Sequence, residues 1–523
     1  MCTTVEDRSA LVKRSETAKI VVIGKMDICG EKYVLGVLCL ALVVVVLIDG
    51  ANADSAAADQ NYGRGGGSSG MSSRQSRYRS PRCELQRLQA IQPNRRIDAE
   101  GGFTEIWEQY KYEQLDCAGV SAARTTIRPN GLYLPVYSNA AKLTYVVQGE
   151  CVHSEVIPGC PETYQQAAGG QQQQQQQQGG RRADEHQKVR RLKRGDIVAT
   201  PPGFVQWFYN DGNTDLVLVT LLDTANSQNQ LDNQDRDFFL AGNPREAEQK
   251  QQQQDQGASS EVNYNNIFSG FADEILQEVL GTSRETVERV KGRNDYRGHI
   301  ILVRHGLQMI KPLRYEEEDE QQRQLTTTTA SNGFEETICT ARLRENMGNP
   351  ARADVYNPQA GYIRNVNRLN LPVLGYLYLS AERGVLYRNA IYAPHWNLYS
   401  HSIIYATRGT ARVQIVGNQQ RQSLFDGQLR QGQLLVVPQN FAVTAQAGSN
   451  GFEWISFKTG DNAISQSLAG KTSALRALPL DMLASMYQIT SQEALKIKYN
   501  RAEQLAIFPS STLSSCNTYP SKH

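Results

Sequence analysis

The sequence predicts an all-β protein built of two tandem jelly-roll barrels, each followed by a small helical unit. Three observations support this fold. The two halves repeat one strand pattern in the same order, glycine and proline bound the strands, and each half ends in helical periodicity. The chain has 523 residues, too many for one compact core, so we expect two domains with tails.

The strand repeat starts in each half with an apolar strand that ends at a glycine. In the first half LTYVVQGE begins at Leu143 and LKRGDIVATPPG at Leu192. In the second half SIIYATRGTARVQIV begins at Ser402 and LRQGQLLVVPQN at Leu429. Each later segment contains a polar turn with glycine, a second apolar strand and a proline. Short strands punctuated in this way are typical of a sandwich or barrel.

An apolar stripe with helical spacing closes each half. The first stripe consists of Phe271, Ile275, Leu276, Val279 and Leu280, and the second begins with Leu483, Met486 and Tyr487. Each stripe is followed by a Thr-Ser-x-Glu segment, from Thr282 to Glu285 and from Thr490 to Glu493. We expect both segments to be capping boxes, in which the threonine hydroxyl accepts from the third backbone amide and the glutamate reaches back.

Residues 1–53 have the pattern of a secretory presequence. The segment from Val34 to Ile48 is apolar over about fifteen residues and is followed by Ala51-Asn52-Ala53, which matches a signal with its cleavage site. The apolar run is too short for a comfortable membrane span, so we expect no membrane association after the signal is removed. Met26 would make a more ordinary start than Met1.

The net charge of +2 conceals a difference between two parts of the chain. Residues 333–523 contain 18 Lys or Arg and 11 Asp or Glu, a net charge of +7. Residues 1–332 contain 37 and 42, a net charge of −5. A cut between these parts would release an acidic and a basic chain. Neither part has a dense basic patch interleaved with aromatic residues, so we expect no nucleic-acid partner.

A polar loop with an Asn-Gly bond separates the two parts. The acidic run Glu316–Glu320 and the threonines Thr326–Thr329 precede SNGFEETIC, in which Asn332 and Gly333 stand shortly before Cys339. Such a segment cannot bury enough apolar surface to order itself, so a protease can reach it. We expect cleavage after Asn332. The alternative is an ordinary surface loop with a buried thiol.

Nine cysteines are present, and three of them, Cys2, Cys29 and Cys39, fall in the presequence. An even number of cysteines then remains in a secretory chain, which favours disulfides over metal or redox chemistry. Six cysteines permit fifteen pairings, so the residues alone leave the connectivity open.

Several segments resemble the 11S globulins, the legumin and glutelin family of plant seed storage proteins. SNGFEETIC resembles the processing site of that family, and PGCPETY from Pro158 resembles its acidic-chain cysteine motif. Further similar blocks are RCELQRLQAIQPNRRIDAEGG from Arg82, LDCAGVSAAR from Leu115, NIFSGF from Asn266 and RADVYNPQAG from Arg352. The resemblance extends from about Cys83 to about Phe508.

This resemblance implies two barrels of the cupin type and a division into two processed chains. An acidic chain, residues 54–332, would contain barrel 1 at about 80–290 and end in a variable polar loop at about 312–332. A basic chain, residues 333–523, would contain barrel 2 at about 345–505.

The resemblance also implies a disulfide framework. It pairs Cys83 with Cys117 inside the acidic chain, and Cys160 with Cys339 between the chains. It assigns no partner to Cys151 and Cys516. These two cysteines could pair with each other, stay free or cross-link neighbouring molecules.

The function that the resemblance implies is storage of nitrogen and amino acids in the seed. The family passes through the endoplasmic reticulum to protein storage vacuoles or protein bodies, and an asparaginyl endopeptidase would make the cut after Asn332. Like or unlike 11S subunits would assemble into trimers and then hexamers. The glutamine tracts 171–178 and 249–256 suit a nitrogen store, although a drifting linker is equally compatible with them.

An enzymatic alternative would need a metal site. A catalytic cupin holds its metal with three histidines and a glutamate. The matching positions hold His395, Asn397, Ser402 and Val443 in the second barrel, and Val136, Ser138, Lys142 and Gln206 in the first.

One ligand of four remains in the second barrel and none in the first, and Lys142 would repel a cation. His395 and His401 could form a remnant site, but a structural role is more usual for such a pair. We therefore expect no catalytic residue, no metal, no cofactor and no enzymatic activity. The alternatives are a metal-dependent cupin enzyme and a bicupin that binds a small ligand or carbohydrate.

Overall fold

The computed structural model describes residues 85, 87–162, 164–165, 185–243, 266–307, 309, 339–418, 423–501 and 503–510. These residues belong to one compact unit, residues 71–523. The presequence, both glutamine tracts, Cys83, Asn332, Gly333 and Cys516 lie outside the described residues. Within the described ranges, no helix is long and apolar enough to cross a bilayer.

The first half contains fourteen strands in the described ranges, most of them short. The strands are β1 (Arg95–Ala99), β2 (Gly102–Trp107), β3 (Ser121–Ile127), β4 (Gly131–Ser138), β5 (Ala141–Gln148), β6 (Glu150–Val156), β7 (Tyr164–Gln165), β8 (Glu185–His186), β9 (Arg190–Lys193), β10 (Asp196–Thr200), β11 (Val205–Tyr209), β12 (Leu216–Asp223), β13 (Asp237–Phe239) and β14 (Ile300–Leu302). The helices are α1 (Glu113–Ala118), α2 (Asp273–Leu280) and α3 (Arg284–Val290), with 3-10 turns at Gln109–Lys111 and Ile267–Gly270.

The second half repeats this order with longer central strands. The strands are β15 (Arg344–Asn346), β16 (Val355–Asn357), β17 (Gly361–Val366), β18 (Ser380–Leu386), β19 (Ile391–Asn397), β20 (Ser402–Val416), β21 (Phe425–Arg430), β22 (Leu434–Val437), β23 (Ala442–Lys458), β24 (Ser465–Ser467) and β25 (Ile507–Phe508). The helices are α4 (Val373–Leu377), α5 (Ala474–Ala477), α6 (Leu480–Tyr487) and α7 (Ser491–Tyr499), with a 3-10 turn at Pro350–Arg352.

The strands form two antiparallel barrels, as the repeat predicts. Barrel 1 consists of one sheet in the order β1-β2-β3-β12-β5-β10-β15 and a facing sheet in the order β13-β4-β11-β6-β9, with β14 on β4. Barrel 2 has the path β16-β17-β18-β23-β19-β24, and β20 pairs with β21, β22 and β23. The predicted strands at Leu143, Leu192, Ser402 and Leu429 all lie in these sheets. The all-β fold with two helical units is therefore confirmed.

Strand β12 illustrates why the central strands are almost continuously apolar. Successive side chains of a strand point to opposite faces of the sheet. Leu216 and Leu218 pack inside barrel 1, whereas Val219 and Leu221 pack outward into a cluster that also contains Phe457 of barrel 2. Both faces of the sheet are thus buried, one inside a barrel and the other between the two barrels.

Each half contributes a segment to the other half's barrel. Ile91 N donates to Leu434 O at 2.8 Å and Leu434 N donates back at 3.0 Å, which attaches the segment before β1 to barrel 2. In the opposite direction, β15 pairs with β10 and extends the sheet of barrel 1, with Glu345 opposite Ile197. We call these two contacts the segment exchange. They join the parts of the chain that lie before and after the predicted cut.

The first predicted capping box is wrong by one residue. Ser283 is the N-cap of α3, and its hydroxyl accepts a hydrogen bond from Thr286 N at 3.3 Å. Thr282 instead belongs to the end of α2, where its amide donates to Gln277 O at 3.2 Å. Gly281, with φ of 58°, makes the left-handed turn that ends α2 and directs Thr282 into this role.

The second predicted capping box is confirmed. The Thr490 hydroxyl accepts from Glu493 N at 3.3 Å, and the Glu493 carboxylate accepts from Thr490 N at 2.9 Å. Because α2–α3 and α6–α7 are both joined by three residues, Ser283 rather than Thr282 is the counterpart of Thr490.

Candidate functional site

The interior of barrel 2 brings together the four positions expected to correspond to metal ligands. His395 and Asn397 in β19, Ser402 at the start of β20 and Val443 in β23 line one cavity of about 20 Å³. The alignment made from the sequence therefore identified neighbouring positions correctly. A cavity of this size holds about one water molecule.

A buried ion pair that the sequence analysis missed lies beside this cavity. Lys458 Nζ donates to Asn397 Oδ1 at 2.8 Å and to Glu382 Oε2 at 3.0 Å, and both charged side chains are at most 5% exposed. Burial alone raises the pKa of the Glu382 carboxyl, but the nearby Lys458 ammonium brings that pKa below its usual value. The Lys458 ammonium is hydrogen-bonded to Asn397, which occupies one of the four positions that match metal ligands, so it would repel a metal cation there.

The alternation of side chains along β23 predicts that Lys458 points into barrel 2. Phe452 and Trp454 pack inside barrel 2, and Ile455 and Phe457 pack on the opposite face. Lys458 has the same parity as the interior residues, so a period of two already directs it inward. A lysine at an inward position of an apolar strand predicts a buried acidic partner.

His395 is held as a structural residue. Its Nδ1 lies 2.8 Å from the Ala393 carbonyl oxygen, and its ring stacks on Tyr392 with centroids 3.9 Å apart. Burial disfavours the imidazolium and lowers the pKa of His395 to about 4. Since Nδ1 faces a carbonyl, the neutral ring carries its proton there.

His401 does not join His395. It lines a different cavity, together with Tyr399 and Thr459, and its Nδ1 accepts from Gln439 N at 3.3 Å. Within the described ranges, no group of three or more His, Cys, Asp and Glu side chains is placed to hold a metal ion.

The interior of barrel 1 is more open. A cavity of about 170 Å³ lies between its sheets and includes Lys142 and Gln206, two of the four expected positions. Val136 and Ser138 are buried in β4 but do not line this cavity. Lys142 Nζ donates to Asp237 Oδ1 at 2.6 Å, so the lysine is paired within the barrel.

A polar cluster around His299 forms part of the cavity wall. His299 Nε2 lies 2.8 Å from Thr104 Oγ1, which is 3.1 Å from Thr125 Oγ1. His299 Nδ1 is buried and has no hydrogen-bond partner among the described residues. Burial lowers the pKa of His299 to about 4, so the ring is neutral at neutral pH. Tyr133 and Phe239 meet the ring edge-on.

Two further titratable groups are buried on β6. The Thr200 hydroxyl lies 2.7 Å from Glu155 Oε1 and 3.1 Å from Gln206 Oε1, and burial raises the pKa of Glu155 to about 7. The His153 ring stacks on Phe208, and burial lowers the pKa of His153 to about 3. The sequence analysis named neither group.

The structure contains the predicted disulfide between Cys160 and Cys339. Their Cα atoms are 5.5 Å apart, although 179 residues separate them in sequence. The turn that carries Cys160 is fixed by Gln187, whose amide nitrogen donates to Cys160 O at 2.8 Å and to Ile157 O at 3.0 Å. The bond therefore links two elements on either side of Asn332.

Two of the other cysteines, Cys117 and Cys151, lie in the part of the chain that the structure describes. Cys117 in α1 is disulfide-bonded, and its predicted partner Cys83 lies outside the described residues, so that pairing stays a prediction. Cys151 is free and fully buried in barrel 1, where burial raises the pKa of its thiol well above the usual value. A buried thiol of this kind is not available to cross-link neighbouring molecules.

Each helical unit exposes most of its apolar stripe. In the first unit Leu276 is buried, while Ile275 is 55% and Val279 is 74% exposed. In the second unit Leu483 is buried, while Met482 and Met486 are about half exposed. The remaining exposed apolar side chains of the two units are Phe271, Leu280, Tyr487, Leu495, Ile497 and Tyr499. Leu276 and Val287 anchor the first unit, Leu483 and Ala494 anchor the second, and a broad apolar surface stays uncovered.

Comparisons with known proteins agree with this architecture. The cupin family matches residues 88–246 and 345–495. The 11S globulin seed storage protein Ana o 2.0101 of Anacardium occidentale is 48% identical over 442 residues, which cover 83% of this chain and 94% of the relative. Glutelin type-A 1 of Oryza sativa subsp. japonica is 42% identical, over 83% of this chain and 89% of the relative.

Solved structures give the same result. The crystal structure of pumpkin seed globulin has a TM-score of 0.70 and 43% sequence identity, and the match covers 82% of this chain and all of that chain. Vicilin from Capsicum annuum, at 17% identity and a TM-score of 0.57, shares the fold alone.

Proposed function

The chain belongs to the 11S globulin family of seed storage proteins, and from this premise we propose that it is stored as a cleaved but undivided molecule. Seed storage is its function. The proposal is that an asparaginyl endopeptidase cuts after Asn332, and that the acidic and basic chains then remain together. The segment exchange carries this proposal, since the acidic product lacks strand β15 of barrel 1 and the basic product lacks the Ile91 segment that pairs with barrel 2.

The disulfide supports the same proposal. Cys160 lies in the acidic part and Cys339 in the basic part, and the bond between them spans the proposed cut. Two independent attachments therefore join the products, one covalent and one made of strand pairing and apolar packing. Cleavage would free new chain ends without separating domains.

Absence of enzymatic activity is supported by what fills barrel 2. The Lys458–Glu382 pair lies against the former ligand positions, and a cavity of about 20 Å³ leaves no room for a substrate. The named relatives are storage proteins. We propose that this chain likewise has no catalytic residue.

Assembly into trimers is supported by the exposed stripes of the two helical units. An uncovered apolar surface of this extent is unusual for a monomer. Because each chain carries one unit after each barrel, a head-to-tail contact between unlike units covers all of them when its rotation closes into a ring. We propose such trimers of like or unlike 11S subunits, and hexamers after cleavage.

The proposed route follows from the presequence and the cysteines. A signal within residues 1–53 would direct the chain into the endoplasmic reticulum, where the disulfide could form. Deposition in the protein storage vacuole or protein body of the seed would follow, and cleavage after Asn332 would take place there.

Denaturing gel electrophoresis of seed protein with and without reductant tests the cut. We expect one band without reductant and two with it, the smaller beginning at Gly333. Asn130–Gly131 and Asn450–Gly451 are two further Asn-Gly bonds in this sequence and serve as internal controls.

Both control bonds carry exposed asparagines, but Asn130 lies in the turn before β4 and Asn450 lies within β23. We expect neither to be cut, because a protease needs an extended backbone without strand or turn hydrogen bonds. An Asn332→Gln chain should stay uncut, form trimers and not form hexamers. Cleavage of that variant at the same bond, or hexamers of the uncut chain, would contradict the proposal.

A further inference from the structure

We propose that the interior of barrel 1 binds one small neutral aromatic alcohol, of the size and chemistry of a phenol. The cavity of about 170 Å³ is close in size to engineered apolar cavities of about 150 Å³ that hold a benzene ring. This binding site goes beyond storage, and the storage function does not require it.

The walls of the cavity suit an aromatic ring. Tyr133, Phe208 and Phe239 present aromatic surface, and Ile106 and Leu218 present aliphatic surface. Nine of the seventeen lining residues are polar or charged, so the cavity combines an apolar wall with polar groups, as small-ligand sites do. Aromatic pairs with edge-to-face or offset geometry would hold a ring more tightly than its area alone.

His299 supplies the polar anchor. His299 lines the cavity, and its Nδ1 is buried without a partner among the described residues, which is costly for a buried polar atom. If Nε2 donates to Thr104, Nδ1 must accept, and if Nε2 accepts, Nδ1 must donate. A hydroxyl can do either, so an alcohol satisfies His299 in both tautomers.

The charges of the cavity favour a neutral ligand. Lys142 is paired with Asp237 at 2.6 Å, and Arg95 is paired with Glu108 at 3.1 Å. Both cations that line the cavity are therefore engaged, and an anionic ligand would have to displace a carboxylate. Asp235 adds a further acidic group to the wall, which disfavours an anion still more.

Barrel 2 provides an internal comparison. Its equivalent space is filled by Tyr392, Phe452 and Trp454 and measures only about 20 Å³. One site per chain is therefore expected rather than two. The two barrels of one molecule differ because Tyr392, Phe452 and Trp454 pack inside the second and leave the smaller space.

The test uses the purified full-length protein and two probes, 4-fluorophenol and fluorobenzene, followed by fluorine NMR and calorimetry. We expect saturable binding of 4-fluorophenol with one site per chain, and about ten-fold weaker binding of fluorobenzene because it lacks the hydroxyl. His299→Leu should make the two affinities equal. His305→Leu, which changes an exposed histidine away from the cavity, should preserve the ten-fold difference.

A cavity-filling variant tests the location. Ala123→Leu should abolish binding of both probes, and Ala123→Val, a smaller change, covers the case in which the leucine variant does not fold. The proposal is overturned by any of three results. They are absence of saturable binding at about 10 mM probe, an unchanged affinity in a folded Ala123 variant, and a crystal soaked with 4-fluorophenol that shows only ordered water at His299.

Discussion

The Lys458 ammonium and the Glu382 carboxylate lie 3.0 Å apart inside barrel 2, with exposed side-chain fractions of 1% and 5%. Their strands, β18 and β23, are neighbours in one sheet, so the pair is held by the register of that sheet. Trp454 Nε1 lies 3.3 Å from the same carboxylate. The pair therefore belongs to a hydrogen-bonded network in the buried interior of barrel 2.

Replacing Lys458 by methionine should destabilise the protein strongly. The variant leaves Glu382 buried without its cation, which typically costs about 3–5 kcal/mol. Urea denaturation should show this loss in the free energy of unfolding. The double variant Lys458→Met, Glu382→Gln should recover part of it, and Lys471→Met, at an exposed lysine, should have little effect. If the Lys458→Met protein were as stable as the unaltered protein, burying Glu382 without its cation would carry no measurable cost.

Reduction of the disulfide should not by itself separate the cleaved chains. The segment exchange and the apolar cluster between the barrels hold the two chains together without Cys160 and Cys339. Size-exclusion chromatography in native buffer with reductant should give one species, whereas urea with reductant should give two. A Cys160→Ser protein should behave like the reduced one. Separate acidic and basic chains in native buffer would refute this expectation.

Glu155 should make the protein less stable as the pH rises. Burial raises its pKa from 4.5 to about 7, so between these values the folded chain keeps a proton that the unfolded chain has lost. The free energy of unfolding therefore falls across this window, by roughly 3 kcal/mol from this group. Glu155→Gln should remove this decrease in the free energy of unfolding. In urea titrations, the variant should therefore become more stable relative to the unaltered protein as the pH rises from 4.5 to 7.

His153 provides a control of opposite sign for that experiment. Burial lowers its pKa from 6.5 to about 3, so its contribution to stability is present above pH 6.5 and is lost as the pH falls. His153→Gln should therefore gain stability relative to the unaltered protein as the pH falls from 6.5 toward 3. If the free energies of unfolding of both variants changed with pH in the same direction relative to the unaltered protein, neither group would be buried as described.

Charged substitutions on the first helical stripe should prevent trimer formation. Ile275 and Val279 are 55% and 74% exposed in the single chain, so glutamate at these positions does not disturb the fold but places charge in the proposed contact. Sedimentation velocity of the Ile275→Glu, Val279→Glu protein should give folded monomers. Glu274→Gln on the same helix should leave trimers intact. Trimers of the double variant would exclude this surface as the contact.

The repeated strands could be predicted from sequence because their signals are local. The segment from Ser402, which we expect to hold a strand ending at a glycine, is strand β20, and this strand continues through Gly409 to Val416. Its β-branched and aromatic residues favour an extended backbone. The alignment of His395, Asn397, Ser402 and Val443 also located one shared cavity. Local pattern and repeat order were sufficient for these features.

Features that depend on distant partners could not be predicted in this way. The pairing of β15 with β10 joins residues about 150 positions apart, and nothing near Glu345 indicates Ile197 as its neighbour. The capping box at Thr282 failed for a different reason, because Gly281 ends the preceding helix and takes Thr282 with it. Tertiary packing determined the pairing of β15 with β10, and the end of the preceding helix determined the position of the N-cap.

The origin of β15 in the second half has a consequence for synthesis on the ribosome. Strand β10 is complete at Thr200, but its outer neighbour ends at Asn346, which is 146 residues later in the chain. At about 5–20 residues per second, the nascent chain displays an unpaired sheet edge for on the order of ten seconds. Exposed edges of this kind invite pairing with other chains. Nascent copies crowded on one polysome are therefore most prone to mispair while residues 201–346 are being added.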